Sequence, residues 1–137
     1  MARRKRKTYG WAITKRYPHK GHPAYYKHLE KNNNDILYWI FTHSKKVTFD
    51  DGSVIETKDL GGNINPKEPK YKPNGELNNS YIIPKTYRGK RDALGKDIDK
   101  VYELKGDIFK KFTTLITDFV CEYVPFTSNS KKKKNKE

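Results

Sequence analysis

Imidazole and hydroxyl side chains gather at two points in this chain: His22 stands just before Pro23, and Thr42, His43 and Ser44 close an apolar run. An imidazole takes or gives a proton near neutral pH, and a hydroxyl donates a hydrogen bond to a phosphate oxygen. Together they suit one reaction in particular, cleavage of RNA by attack of its own 2′-hydroxyl on the neighbouring phosphate. That reaction needs a base, a donor or cation for the phosphorane oxygens and an acid for the leaving 5′-oxygen, but neither a metal nor a protein nucleophile. His22, Thr42 and His43 are the candidate catalytic groups. Ser44, Lys45, Lys46, Lys85, Tyr87, Arg88 and Arg91 are the candidate contacts to an RNA chain. Taken singly, each of these also reads as an ordinary turn or surface residue, and His19 and His28 read as nothing more.

Other chemistries are poorly supplied. No Gly-rich phosphate loop opens a helix, and the histidines at 19, 22, 28 and 43 with one distant Cys121 lack zinc-site spacing. Most acids lie beside lysines in polar stretches, not as a carboxylate pair. The expectation is no cofactor and no metal. Cys121 lies in an apolar run, so it reads as a structural thiol in a reducing compartment.

The elements that must carry these groups follow from periodicity and turn signals. Ile36 to Ser44 is the longest near-continuous run of β-branched, aromatic and aliphatic residues, and it predicts a buried strand with a polar end. Gly21-His22-Pro23 turns into a second strand over Ala24 to Leu29, and polar Glu30 to Asp35 forms a hairpin loop between the two. Antiparallel pairing of these strands brings His22 to the end where Thr42, His43 and Ser44 emerge. Further strands are expected at Lys45–Phe49, at Val54–Thr57 after the Asp50-Asp51-Gly52 turn, and at Ser80–Pro84. Tyr9 to Thr14 reads as a short strand or an ordered arm. Gly61 to Glu76 has almost no core formers and predicts a long exposed loop, a kind of segment often functional in a compact domain. Lys85 to Lys96 reads as a basic connection, and Val101 to Leu104 as a short strand or turn. Ile108, Phe109, Phe112, Leu115, Ile116 and Phe119 recur at helical spacing behind Asp107, a candidate cap. The fold class is therefore mainly β with one C-terminal α-helix: a small antiparallel sheet or partly open barrel covered by the helix.

The chain has 137 residues, room for one core, and its 13% aromatic share means that rings fill much of it. Its net charge of +14 is unevenly placed: residues 1–20 carry +8, residues 131–137 carry +4, and the middle is close to neutral. This divides the chain into a basic arm at 1–20, a single domain at 21–122 and a basic tail at 123–137. Basic runs at both ends favour a polyanionic partner, RNA or another nucleic acid, over a membrane, since no amphipathic basic helix or spanning run accompanies them. A soluble cytoplasmic protein is expected.

The order of features resembles the MazF/PemK family of toxin endoribonucleases. The resemblance rests on Gly21-His22-Pro23-Ala24-Tyr25-Tyr26, on Phe41-Thr42-His43-Ser44, on Ser80-Tyr81-Ile82-Ile83-Pro84, on Arg88 with Asp92-Ala93-Leu94-Gly95-Lys96, and on the closing helix. It spans about residues 21–120 and implies an SH3-like barrel, a homodimer, metal-independent cutting of single-stranded RNA and restraint by an antitoxin protein. It also places Thr42 on the family's catalytic Thr and His22 where the family has a catalytic Arg. That exchange keeps acid–base chemistry while giving up constant positive charge, or else marks a chain that binds without cutting. The alternative reading is accordingly a non-catalytic nucleic-acid-binding protein of a mobile element, built on the same barrel and basic arms.

Overall fold

The computed structural model describes residues 9–15, 20–29, 34–49, 51–98 and 102–123. Residues 1–8 and His19, most of the Glu30–Asp35 loop, Val101 and the tail from 124 onward lie outside the described residues. The chain forms β1 (Tyr9–Thr14), β2 (Pro23–His28), β3 (Asp35–Thr42), β4 (Lys46–Thr48), β5 (Val54–Glu56), β6 (Lys58–Asp59), β7 (Tyr81–Ile82), β8 (Lys85–Lys90), β9 (Leu94–Asp97), α1 (Gly106–Ile116) and β10 (Val120–Tyr123). The expected class, mainly β with one helix over an antiparallel sheet, is what these elements make.

The main sheet runs β10-β8-β3-β2-β1-β9, with β7 pairing the end of β3 and β6 pairing β7, while β4 and β5 form a separate hairpin. Every pairing in the main sheet is antiparallel except β10 with β8. Among the described residues the sheet stays open, with β9 and β10 as its edges.

The central strand β3 is buried on both faces, which explains its unbroken apolar run. Ile36, Tyr38 and Ile40 point into one cluster with Ala12, Ala24, Tyr26, Ile83, Tyr87 and Leu94, closed by Val47 and Phe49 of the hairpin. Trp39 and Phe41 point the other way, into a cluster with Trp11, Tyr25, Leu60, Ile64, Ile82 and Phe112. The indole of Trp39 keeps its hydrogen bond in this interior by donating to Thr86 Oγ1 at 2.7 Å.

Several expectations change. Tyr9–Thr14 is an integral strand with Trp11, Ala12 and Thr14 buried, so the arm expected over residues 1–20 gives way to sheet at residue 9. The basic connection Lys85–Lys96 is β8 and β9 joined by a 3-10 turn at Arg91–Ala93, with Thr86, Tyr87, Ala93 and Leu94 in the inward positions between its cations. Lys105, not Asp107, occupies the N-cap position of α1 and makes no side-chain cap. Gly106 at φ 63° makes the turn into the helix, a conformation that side chains disfavour. Phe112 is buried by α1, but Phe109 of the predicted stripe faces outward at 44% exposure. The helix is also not the last element: β10 follows it, and Cys121 on that edge strand is exposed, not packed in an apolar interior.

Candidate functional site

Ala24 pairs with Ile40 and His28 with Ile36 across β2 and β3, and carrying that register two residues further sets His22 opposite Thr42. The expectation that these residues share one end of the ribbon holds in the structure. Gly21, at φ 88°, turns the chain into β2, and the turn is locked to β1 from both sides. Thr14 N–H donates to His22 O at 2.8 Å, His22 N–H donates to Thr14 Oγ1 at 3.0 Å, and Gly21 N–H donates to Thr14 O at 2.8 Å. Thr42 is buried at 8% exposure, paired with Tyr81, and its Oγ1 accepts the Ser44 N–H at 3.2 Å.

His22, Thr42, His43 and Ser44 line one pocket of about 320 Å³ together with Gly21, Pro23, Phe41, Ile64, Glu68, Ser80 and Tyr102. That volume is at the lower end of small-molecule sites. Its walls differ. Pro23, Phe41, Ile64 and Tyr102 are apolar or aromatic, whereas the rim carries imidazole, hydroxyl and carboxylate groups.

His43 is anchored at both ring nitrogens. Nδ1 lies 2.9 Å from Asn79 O, and Nε2 lies 3.0 Å from Glu68 Oε1. Both neighbours are acceptors, and a neutral imidazole has one N–H, so it can donate to only one of them. Glu68 Oε1 is held in turn by Asn63 Nδ2 at 2.8 Å, and Lys72 Nζ donates to the His43 carbonyl at 3.3 Å. His43 therefore acts on a ligand only by giving up one of these contacts.

The stretch expected as an exposed loop contributes Ile64 and Glu68 to this site. Leu60 and Ile64 are buried, and Ser80 stitches the two ends of the excursion together. Leu60 N–H donates to Ser80 O at 3.1 Å, Ser80 N–H to Gly62 O at 2.7 Å, and Ile64 N–H to Ser80 Oγ at 2.9 Å. Sequence reasoning missed Asn63, Glu68, Lys72, Asn79, Ser80 and Tyr102. The unusual length of the loop was the one signal present, and it pointed to the segment without pointing to any residue in it.

The remaining predicted contacts are placed elsewhere or tied down. Lys45 and Lys46 follow Ser44 and are exposed. Lys85 pairs with Glu122 at 2.9 Å, with its ammonium 4.8 Å from the Phe49 ring centroid. Tyr87 is a core residue stacked on Tyr38 at 5.4 Å, and burial pushes its phenol well up, so the structure removes it from the expected RNA contacts. Arg88 stands opposite Leu37, five residues from Thr42 and so roughly 16 Å along the strand. Arg91 is further still, bound to Asp97 Oδ1 at 2.8 Å and lying over the Tyr26 ring at 4.8 Å. Neither arginine reaches the pocket.

Among the described residues no cluster of three or more His, Cys, Asp or Glu side chains converges as a metal ion would require. No helix among them is long and apolar enough to cross a membrane. Comparison with protein-family models, with curated proteins and with solved structures finds no match for this chain.

Proposed function

We propose that the pocket at the end of β3 binds single-stranded RNA and promotes attack of a 2′-hydroxyl on the adjacent phosphate, without a metal. One observation carries this reading: His22 lines the same pocket as Thr42 and His43, which lie about twenty residues further along the chain. In the proposed step His22 removes the 2′-hydroxyl proton, the 2′-oxygen–phosphorus bond forms, and the bond from phosphorus to the 5′-oxygen breaks. Thr42 donates to a non-bridging oxygen, since its Oγ1 already accepts from Ser44 and its own proton has no acceptor among the described residues. His43, releasing one of its two acceptors, gives a proton to the departing 5′-oxygen, and Lys45, Lys46 and Lys72 supply positive charge nearby. The products are a 2′,3′-cyclic phosphate and a 5′-hydroxyl. The resemblance to MazF/PemK toxins adds a cytoplasmic homodimer restrained by an antitoxin to the same proposal.

The test is incubation of the purified chain with single-stranded RNA in EDTA, scoring cyclic-phosphate ends. His22→Ala and Thr42→Ala are expected to slow cleavage by about 10²–10⁴-fold, the usual range for loss of a proton-transfer or oxyanion-stabilising group. Intact RNA, or equal cleavage by wild type and His22→Ala, refutes the reading. The anchoring of both His43 nitrogens favours a second reading, binding without cleavage through the basic ends. It predicts salt-sensitive affinity that collapses when residues 1–7 and 131–137 are removed.

A further inference from the structure

Resting on that reading of the site as an RNA pocket, we infer that its Glu68–Tyr102 wall is a subsite for one unpaired base carrying an exocyclic amino group. The pocket is lined by groups of different chemistry, the Thr42 and Ser44 hydroxyls, the Glu68 carboxylate and the Tyr102 ring. A carboxylate repels a phosphodiester, so the backbone belongs against Thr42 and Ser44, and the Glu68 side suits a ligand group that donates hydrogen bonds. Glu68 is aimed and held: Oε1 takes Asn63 Nδ2 at 2.8 Å and His43 Nε2 at 3.0 Å. Oε2 has no hydrogen-bond partner among the described residues and is available to a ligand.

The aromatic half of the subsite is equally fixed. Tyr102 is half-buried, and its ring packs against Trp11 with centroids 5.6 Å apart, so the ring keeps its place when the pocket is empty. Tyr102 and Glu68 line the same pocket, and burial, then the Glu68 carboxylate, push the Tyr102 phenol up. Glu103 N–H donates to Ile64 O at 2.9 Å, tying the Tyr102 segment to the excursion that carries Glu68. A flat ring with a donor edge meets both requirements at once, stacking on Tyr102 and donating to Glu68 Oε2. Cytosine and adenine have such an amino group; uracil does not.

The experiment uses the full chain and short 2′-fluoro oligouridines, which lack the attacking hydroxyl, with or without a single central cytidine or adenosine. Fluorescence anisotropy at fixed salt reads the affinity ratio. The amino-bearing base is expected to raise wild-type affinity about tenfold, the scale of one good base-edge contact. Glu68→Gln is expected to cut that ratio below about twofold, because the amide offers a donor to uracil as readily as an acceptor to cytosine. Tyr102→Phe keeps the ratio and Tyr102→Ala weakens all the oligonucleotides together. The ratio separates a base contact from the positioning of His43, since loss of positioning alone shifts affinity for every oligonucleotide equally. Equal wild-type affinities, or a ratio unmoved in Glu68→Gln, overturn the subsite and leave the RNA reading standing. Absence of salt-sensitive binding to any of them overturns both.

Discussion

Replacing Ser80 by alanine tests whether the excursion between β6 and β7 is part of the site or a passive loop. Ser80 is 1% exposed, and its hydroxyl makes two hydrogen bonds, accepting from Ile64 N–H at 2.9 Å and donating to Asn63 Oδ1 at 3.2 Å. Its backbone bonds to Leu60 and Gly62 survive the change. Asn63 Oδ1 also keeps a partner, the Asn65 N–H at 2.9 Å. Ile64 N–H is the group left stranded, in a residue 3% exposed. Stranding one buried amide costs about 1–3 kcal/mol, and removing the serine hydroxyl's own desolvation recovers part of it, so about 1–2 kcal/mol is expected. Urea denaturation reads that loss directly. Hydrogen exchange reads it locally: if the excursion opens as a unit, the Ile64 amide exchanges about 5–30 times faster in Ser80→Ala. Ser80→Cys, with a weaker acceptor, falls between the two. A stability change below about 0.5 kcal/mol with unaltered Ile64 exchange refutes the claim that this hydroxyl closes the segment over the pocket.

The helix face gives a paired test: Phe112, packed edge-on against Tyr25 and Trp39 at 5.7 and 5.1 Å, should cost about 3–5 kcal/mol when cut to alanine, while exposed Phe109→Ala stays within about 0.5 kcal/mol. Tyr87 contributes to alkaline stability alongside Tyr25, Tyr26 and Tyr102, whose phenols are also pushed up by burial. Burial, reinforced by Glu122 and Tyr38, raises the folded pKa of Tyr87, so the unfolded chain loses this proton first, near pH 10. Stability is therefore full below that pH and falls as pH rises toward the folded value. Tyr87→Phe should flatten this decline in pH-dependent denaturation, and an unchanged alkaline limb refutes the assignment. Cys121 on β10 should react with a maleimide in the native protein nearly as fast as in urea; protection of the native thiol contradicts its exposed position.

The ribbon that positions the candidate catalytic groups is encoded in local residue patterns. The β3 run and the turn at Gly21-Pro23 are local signals, and antiparallel pairing of two adjacent strands leaves little freedom of register, so His22 opposite Thr42 was legible in the residues alone. The mainly β class and the helix with buried Phe112 followed from periodicity in the same way. The features that long-range contacts fix lie in polar stretches with no period to read. β8 and β9 looked like a basic connection because their inward residues are interspersed with cations, and pairing with β3 and β1 makes them strands. Tyr87 carries a ring and a hydroxyl and suits a core or a surface equally; stacking on Tyr38 made it core. Glu68, Ser80 and Tyr102 join the pocket through contacts between residues far apart in the chain, such as Glu68 to His43 and Tyr102 to Trp11. Hydrogen bonds and ring contacts of that range leave no mark on local residue spacing. The strand end at Thr42 was therefore readable from composition and pattern, and the other residues that line its pocket only from the folded chain.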